Sequence, residues 1–135
     1  MIDTLPYERA LELISIERWL LNLEPRAAVG EPGDQDSCVV SRRMRAFDAE
    51  CDAYVTPHYA SFASGTPGEV ELMLPDEEGY RHLVILPLDF DVNLLAEAFD
   101  QYDFSRSGVE GPEQEEWERE VSAAQALLLV AQLKR

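Results

Sequence analysis

Carboxylates are the commonest reactive groups in this chain, and their crowding is what its sequence offers first as chemistry. Of 135 residues, 27 are aspartate or glutamate and 11 are lysine or arginine, a formal net charge of −16. The acids are unevenly spread. Residues 69–120 hold sixteen of them against three arginines (Arg81, Arg106, Arg119), a net charge of −13 within 52 residues. The densest run is Glu113-Gln114-Glu115-Glu116-Trp117-Glu118, with Glu110 just before it, and Asp76-Glu77-Glu78 form a second patch. Carboxylates in such numbers attract cations at long range and form ion pairs at contact, while their mutual repulsion works against folding. A small domain needs a net charge of only about 2–8 for solubility. The excess is accounted for by a binding face for a basic partner, by a merely solvated surface, or by adaptation to high salt. Trp117 sits among the glutamates as an anchor for a partner's pocket; its alignment with Val121 and Ala124 at helical spacing equally places it in the core.

Other chemistries have weaker support. Glu97-Ala98-Phe99 and Tyr102-Asp103, followed by Ser105, Ser107 and Gly108, resemble the first helix and loop of an EF-hand. The resemblance implies a calcium loop running from Asp103 to Gln114, with Gly108 at the sharp turn. It departs at Gln114, where a bidentate glutamate is expected, and at Glu110, where an apolar residue is usual. Asp89-Phe90-Asp91-Val92-Asn93 begins like a second loop and then carries Leu94 in place of glycine. Cys38 and Cys51 are the only cysteines, and His58 and His82 the only histidines. They lack zinc-ligand spacing, so no metal site and no cofactor are expected. Arg42, Arg43 and Arg45 form the one basic cluster, with Arg45 placed to pair with Asp48 one helical turn away. No nucleophile elbow, phosphate-binding glycine loop or zinc-protease helix occurs, and His58 beside Ser61 and Ser64 is a turn histidine. The chain is therefore not expected to be an enzyme.

The charge also excludes partners. Nucleic acids need cations to displace phosphate counterions, and anionic membrane surfaces need them too. No apolar stretch approaches the ~20 residues that span a bilayer, and the chain starts without a basic segment leading into an apolar run. Two unpaired thiols without a secretion signal point to the cytoplasm.

The elements that must position these groups read as an α+β fold. Four main helices pack on a small antiparallel β-hairpin or sheet, as one domain over residues 1–135 with a mobile loop near 25–37. The first helix spans 6–23, capped by Thr4, with Leu13, Ile16, Leu20 and Leu23 as its stripe and Ala10, Ile14 and Leu21 widening it. Val40, Met44, Phe47, Cys51 and Tyr54 recur at helical spacing and predict a second helix capped by Asp36 or Ser37. A short helical turn follows from Thr56-Pro57 to Phe62. Val70, Leu72 and Leu74 alternate with Glu69 and Glu71 as a strand. A turn over Pro75–Gly79 leads to a second strand, Tyr80 to Leu86, apolar on both faces at its end and expected to be covered on both. A third helix over about 92–103 buries Val92, Leu95, Ala96, Phe99 and Tyr102. The last starts near Pro112 with the stripe Trp117, Val121, Ala124, Leu128 and Ala131, its early glutamates favoured by the helix dipole. Its run Ala126–Ala131 is apolar nearly all round, so this helix is either central or shared between subunits of a homodimer.

Together these features predict a small acidic cytoplasmic protein-binding protein that neutralises a basic partner, as an inhibitor, an immunity protein or a nucleic-acid mimic does. The alternatives are a calcium sensor using the Asp103–Gln114 loop and an acidic secretion-type chaperone. The partner-binding residues are Asp76, Glu77, Glu78, Glu110, Glu113, Glu115, Glu116, Trp117 and Glu118.

Overall fold

Alternation at period two builds the centre of the molecule. In the strand Glu69–Pro75 (β3), Val70, Leu72 and Leu74 turn inward and are almost wholly buried, while Glu69, Glu71 and Met73 turn outward. A computed structural model of the chain describes residues 3–32, 38–56, 69–102 and 120–134. Within it β3 is the middle strand of an antiparallel sheet, between Asp52–Thr56 (β2) and Arg81–Pro87 (β4). The register sets Ala53 against Leu72 and Val55 against Val70, and Leu72 against Val84 and Val70 against Leu86. Ala53, Val55 and Leu86 are buried with the β3 residues, so the inner face of all three strands feeds one core.

The fold is α+β, with five helices and two small antiparallel sheets. The region expected to be a single helix over 6–23 is two, Leu5–Ala10 (α1) and Leu13–Leu21 (α2). The break falls at Glu12, whose backbone is extended. It is held by the Ser15 hydroxyl donating to the Arg9 carbonyl at 2.8 Å, and it lets Ala10 and Leu11 turn into the core. Thr4 flanks α1 without a side-chain cap; the Asp3 carboxylate takes the Leu5 N–H instead. Ile16 and Leu20 are fully buried, and Leu13 and Leu23 pack against the core, but Ile14 and Leu21 face solvent.

Residues 25–32, read as loop, contain the strand Ala28–Gly30 (β1), which pairs with Val121–Ser122 (β5). The second predicted helix is shorter than its stripe implies. It runs Val39–Phe47 (α3), from an extended Cys38, and Asp36 and Ser37 lie outside the described residues. Val40 and Met44 are buried as expected, but Asp48 turns extended, so Cys51 falls beyond the helix and Tyr54 on β2. Two hydrogen bonds fix that exit. The Asp48 carboxylate accepts from the Tyr7 hydroxyl at 2.7 Å and from the Glu50 N–H at 2.9 Å. Thr56 ends β2, and the rest of the turn expected up to Phe62 lies outside the described residues.

Phe90–Asp100 (α4) buries Val92, Leu95, Ala96 and Phe99, with Tyr102 packed against the core. The last helix begins later than expected, as Ala123–Leu133 (α5), and Val121 belongs to β5. Ser122 starts it with a capping box: its hydroxyl accepts from Gln125 N–H, and the Gln125 side chain accepts from Ser122 N–H. That start sets the phase of the buried face, which is Ala123, Ala126 and Val130; Leu128 and Ala131 of the expected stripe are exposed. Residues 103–119, with Pro112, Trp117 and the glutamates of the presumed first turns, lie outside the described residues. The helix α5 packs against both α2 and α4, with Ala126 and Val130 of its apolar run buried and Leu128 and Ala131 left in solvent.

Two outcomes follow from this packing. Leu72→Ala removes a fully buried side chain from the middle strand and is expected to cost about 2–5 kcal/mol in denaturant unfolding; a loss below 1 kcal/mol contradicts the core described. The hydrogen bond to Asp48, then burial, push the Tyr7 phenol up to about 12. A raised acid stabilises the fold while it keeps its proton, so the contribution of this pair is complete below pH ~10 and vanishes as pH rises through about 12. Tyrosine ionisation followed by NMR should show one late-titrating phenol that returns towards 10 in Asp48→Ala; equal titration in both proteins contradicts the link.

Candidate functional site

The turn between β3 and β4 carries the first group of candidate residues. Asp76 holds the turn together: one carboxylate oxygen accepts the N–H groups of Glu78 and Tyr80, each at 2.9 Å. Its other oxygen lies 2.7 Å from His82 Nε2. Asparagine-like turn chemistry of this kind is why aspartate favours such positions, and Gly79 supplies the positive φ of +88° that closes the loop. The bond to His82, assisted by the two backbone N–H groups, holds the Asp76 carboxyl below its ordinary range. Asp76 is thus engaged within the hairpin, while Glu77 and Glu78 project from its tip into solvent.

The outer face of the three-stranded sheet is the second feature. Cross-strand pairing places Tyr54, Glu71 and Ile85 in one row and Asp52, Met73 and Leu83 in the next. Leu83 is 57% exposed, Ile85 50% and Tyr54 38%. The expectation that both faces of β4 are covered is therefore corrected: His82, Val84 and Leu86 take the inner side, and every described helix packs elsewhere than over Leu83 and Ile85. Antiparallel sheets commonly leave one face in water, but that face is then usually polar. Here it is mixed, with Tyr54, Met73, Leu83 and Ile85 set among Asp52, Glu69, Glu71 and Arg81. A shallow depression lined by Arg45, Tyr54, Glu71, Met73 and Leu83 lies on it.

Charge along the stretch from β3 through α4 is poorly compensated. From Glu69 to Gln101 the chain holds nine carboxylates and one arginine. That arginine, Arg81, is bound to Asp52 of β2 at 2.6 Å and to the Met73 carbonyl. Other cations are likewise committed. Arg42 pairs with Glu120, Lys134 with Glu17 at 2.7 Å, and Arg43 donates to the Ala10 carbonyl and lies over the Phe47 ring. Arg45, expected to pair with Asp48, instead donates to the Ala53 carbonyl at 3.5 Å.

Of the sequence-derived site residues, Asp76, Glu77 and Glu78 share the hairpin turn; Glu110, Glu113, Glu115, Glu116, Trp117 and Glu118 lie outside the described residues, as does the Asp103–Gln114 loop. Among the described residues no group of three histidine, cysteine or acidic side chains is arranged to hold a metal ion. Both thiols are buried and neither is in a disulfide, and burial pushes the Cys51 thiol up, away from the reactive thiolate. No described helix is long and apolar enough to cross a membrane. The outer face of the sheet was not among the residues picked from sequence. Its signal was present in Leu83 and Ile85, which make β4 apolar on both sides, but Tyr54 was assigned to a helix and so removed from its row.

No family model matches this chain, and neither a curated protein nor a solved structure matches it.

The hairpin turn yields a direct test. A carboxyl held down in the folded protein contributes stability above its unfolded value of about 3.9, and that contribution is lost as pH falls through its lower folded value. NMR titration should find Asp76 below the usual aspartate range, and His82→Ala should move its midpoint upward. An unchanged midpoint contradicts the role of His82.

Proposed function

We propose that this chain is a small acidic cytoplasmic protein-binding protein that holds and neutralises a basic partner, as an inhibitor, an immunity protein or a nucleic-acid mimic does. The observation that carries this reading is the stretch from β3 through α4, where nine carboxylates stand against one arginine that is already bound to Asp52. Ion pairs elsewhere join distant parts of the chain and engage Arg42 and Lys134. The remaining negative field therefore acts outward. Within a Debye length of about 8 Å at physiological salt, such a field accelerates encounter with cationic surfaces and repels anionic ones. Nucleic acid and anionic lipid are disfavoured for the same reason.

Competition for a phosphate-binding surface follows from the same charge pattern: a partner that normally holds a polyanion meets carboxylates in its place. Salt dependence tests the reading. The immobilised chain should retain a basic protein from cell extract at low salt, and the purified pair should lose affinity by more than about tenfold between 50 and 500 mM salt. A partner that is acidic, or one whose affinity is indifferent to salt, overturns it.

A further inference from the structure

We infer that the outer face of the β2–β3–β4 sheet is the docking surface for that basic partner, and that it takes a segment in which cationic side chains alternate with apolar ones. The inference rests on the proposed function and adds to it a place and a chemistry of recognition. Leu83 and Ile85 stand well exposed two residues apart on β4, Tyr54 shares the row of Ile85 across Glu71, and Met73 lies beside Leu83. Large apolar side chains left open beside a carboxylate on one sheet face suit a partner contact of mixed character, and buried apolar anchors carry most of the binding energy in such contacts.

Charge selects the occupant. Glu71 sits in the middle strand directly between Tyr54 and Ile85, and no hydrogen bond or ion pair engages it among the described residues. Asp52 and Arg81, on the neighbouring outward positions, satisfy each other. Arg45 borders the face at the β2 side, where it donates to the Ala53 carbonyl. Glu71 lies across from Ile85 of β4 and lines the same depression as Arg45, and Glu77 and Glu78 add exposed negative charge at the hairpin tip. A lysine or arginine set between two apolar side chains meets this row in kind: the cation reaches Glu71 while its neighbours cover Leu83 and Ile85. A second copy of this chain is a poor occupant, because it brings a further −16 to the same surface. An anionic membrane is excluded by the same sign.

Two synthetic peptides of equal positive charge, one alternating leucine with lysine and one alternating serine with lysine, serve as probes for titration calorimetry and NMR. The leucine–lysine peptide should bind at least about tenfold more tightly than the serine–lysine peptide, with shifts centred on Tyr54, Glu71, Leu83 and Ile85. Leu83→Ser and Ile85→Ser should bring its affinity down to that of the serine–lysine peptide, and Glu71→Gln should weaken both probes. Leu21→Ser, which changes an exposed apolar residue on α2, should alter neither. Leu21, Leu83 and Ile85 are open to solvent and Glu71 is half-buried without a partner among the described residues, so circular dichroism and thermal midpoints should stay near wild-type values. Equal binding of both peptides, insensitive to Leu83→Ser and Ile85→Ser, overturns the docking surface and leaves the electrostatic reading standing. Failure of both peptides to bind overturns the two together.

Discussion

Burial of the inner side of β3 is the interaction on which the rest of this structure depends. A chain of net charge −16 repels itself, and its folded state must recover that cost from apolar contact. Val70, Leu72 and Leu74 are withdrawn from water almost completely and join β2, β4 and the helices into one core with Ile16, Leu20, Met44, Phe99 and Val130. Each fully buried aliphatic or aromatic side chain contributes roughly 1.5–3 kcal/mol relative to exposure. The alternation that buries three β3 side chains necessarily aims Glu69, Glu71 and Met73 the other way. The outer face is thus the geometric counterpart of the core.

Three of the described cations hold distant segments together. Arg42 ties α3 to Glu120 just before β5, Lys134 ties the end of α5 to Glu17 on α2, and Arg81 ties β4 to Asp52 across β3. Each joins segments distant in sequence. Partly exposed pairs of this kind contribute little individually, but they determine where positive charge is absent. What is left over is negative, and the β3–β4–α4 stretch holds much of it.

Sequence made some of this legible and hid the rest for identifiable reasons. The β3 strand, its turn and β4 were readable because period-two alternation coincided with a Pro-Asp-Gly turn, and α4 because four buried residues kept helical spacing. The boundary between α3 and β2 was not. Cys51 and Tyr54 continue the +4, +3 rhythm of Val40, Met44 and Phe47, while Ala53 and Val55 alternate at period two over the same residues; the contact between Tyr7 and Asp48, 41 residues apart, decides where the helix ends. The break at Glu12 has no glycine or proline to announce it. For α5, the capping box at Ser122 fixes a helical phase that the glutamate-rich approach did not reveal. As for function, the turn acids were legible by type, but Asp76's engagement with His82 and the open outer rows needed register to be seen.

Negative potential should be greatest along the stretch from β3 through α4, where nine carboxylates meet one arginine. Paramagnetic relaxation by a matched pair of cationic and anionic cosolutes measures local potential residue by residue. The claim predicts the strongest preference for the cation at the amides of Glu77, Glu78, Asp89 and Asp91 and along β4, well above that on α1 and α3. A preference spread evenly over all described residues would contradict it.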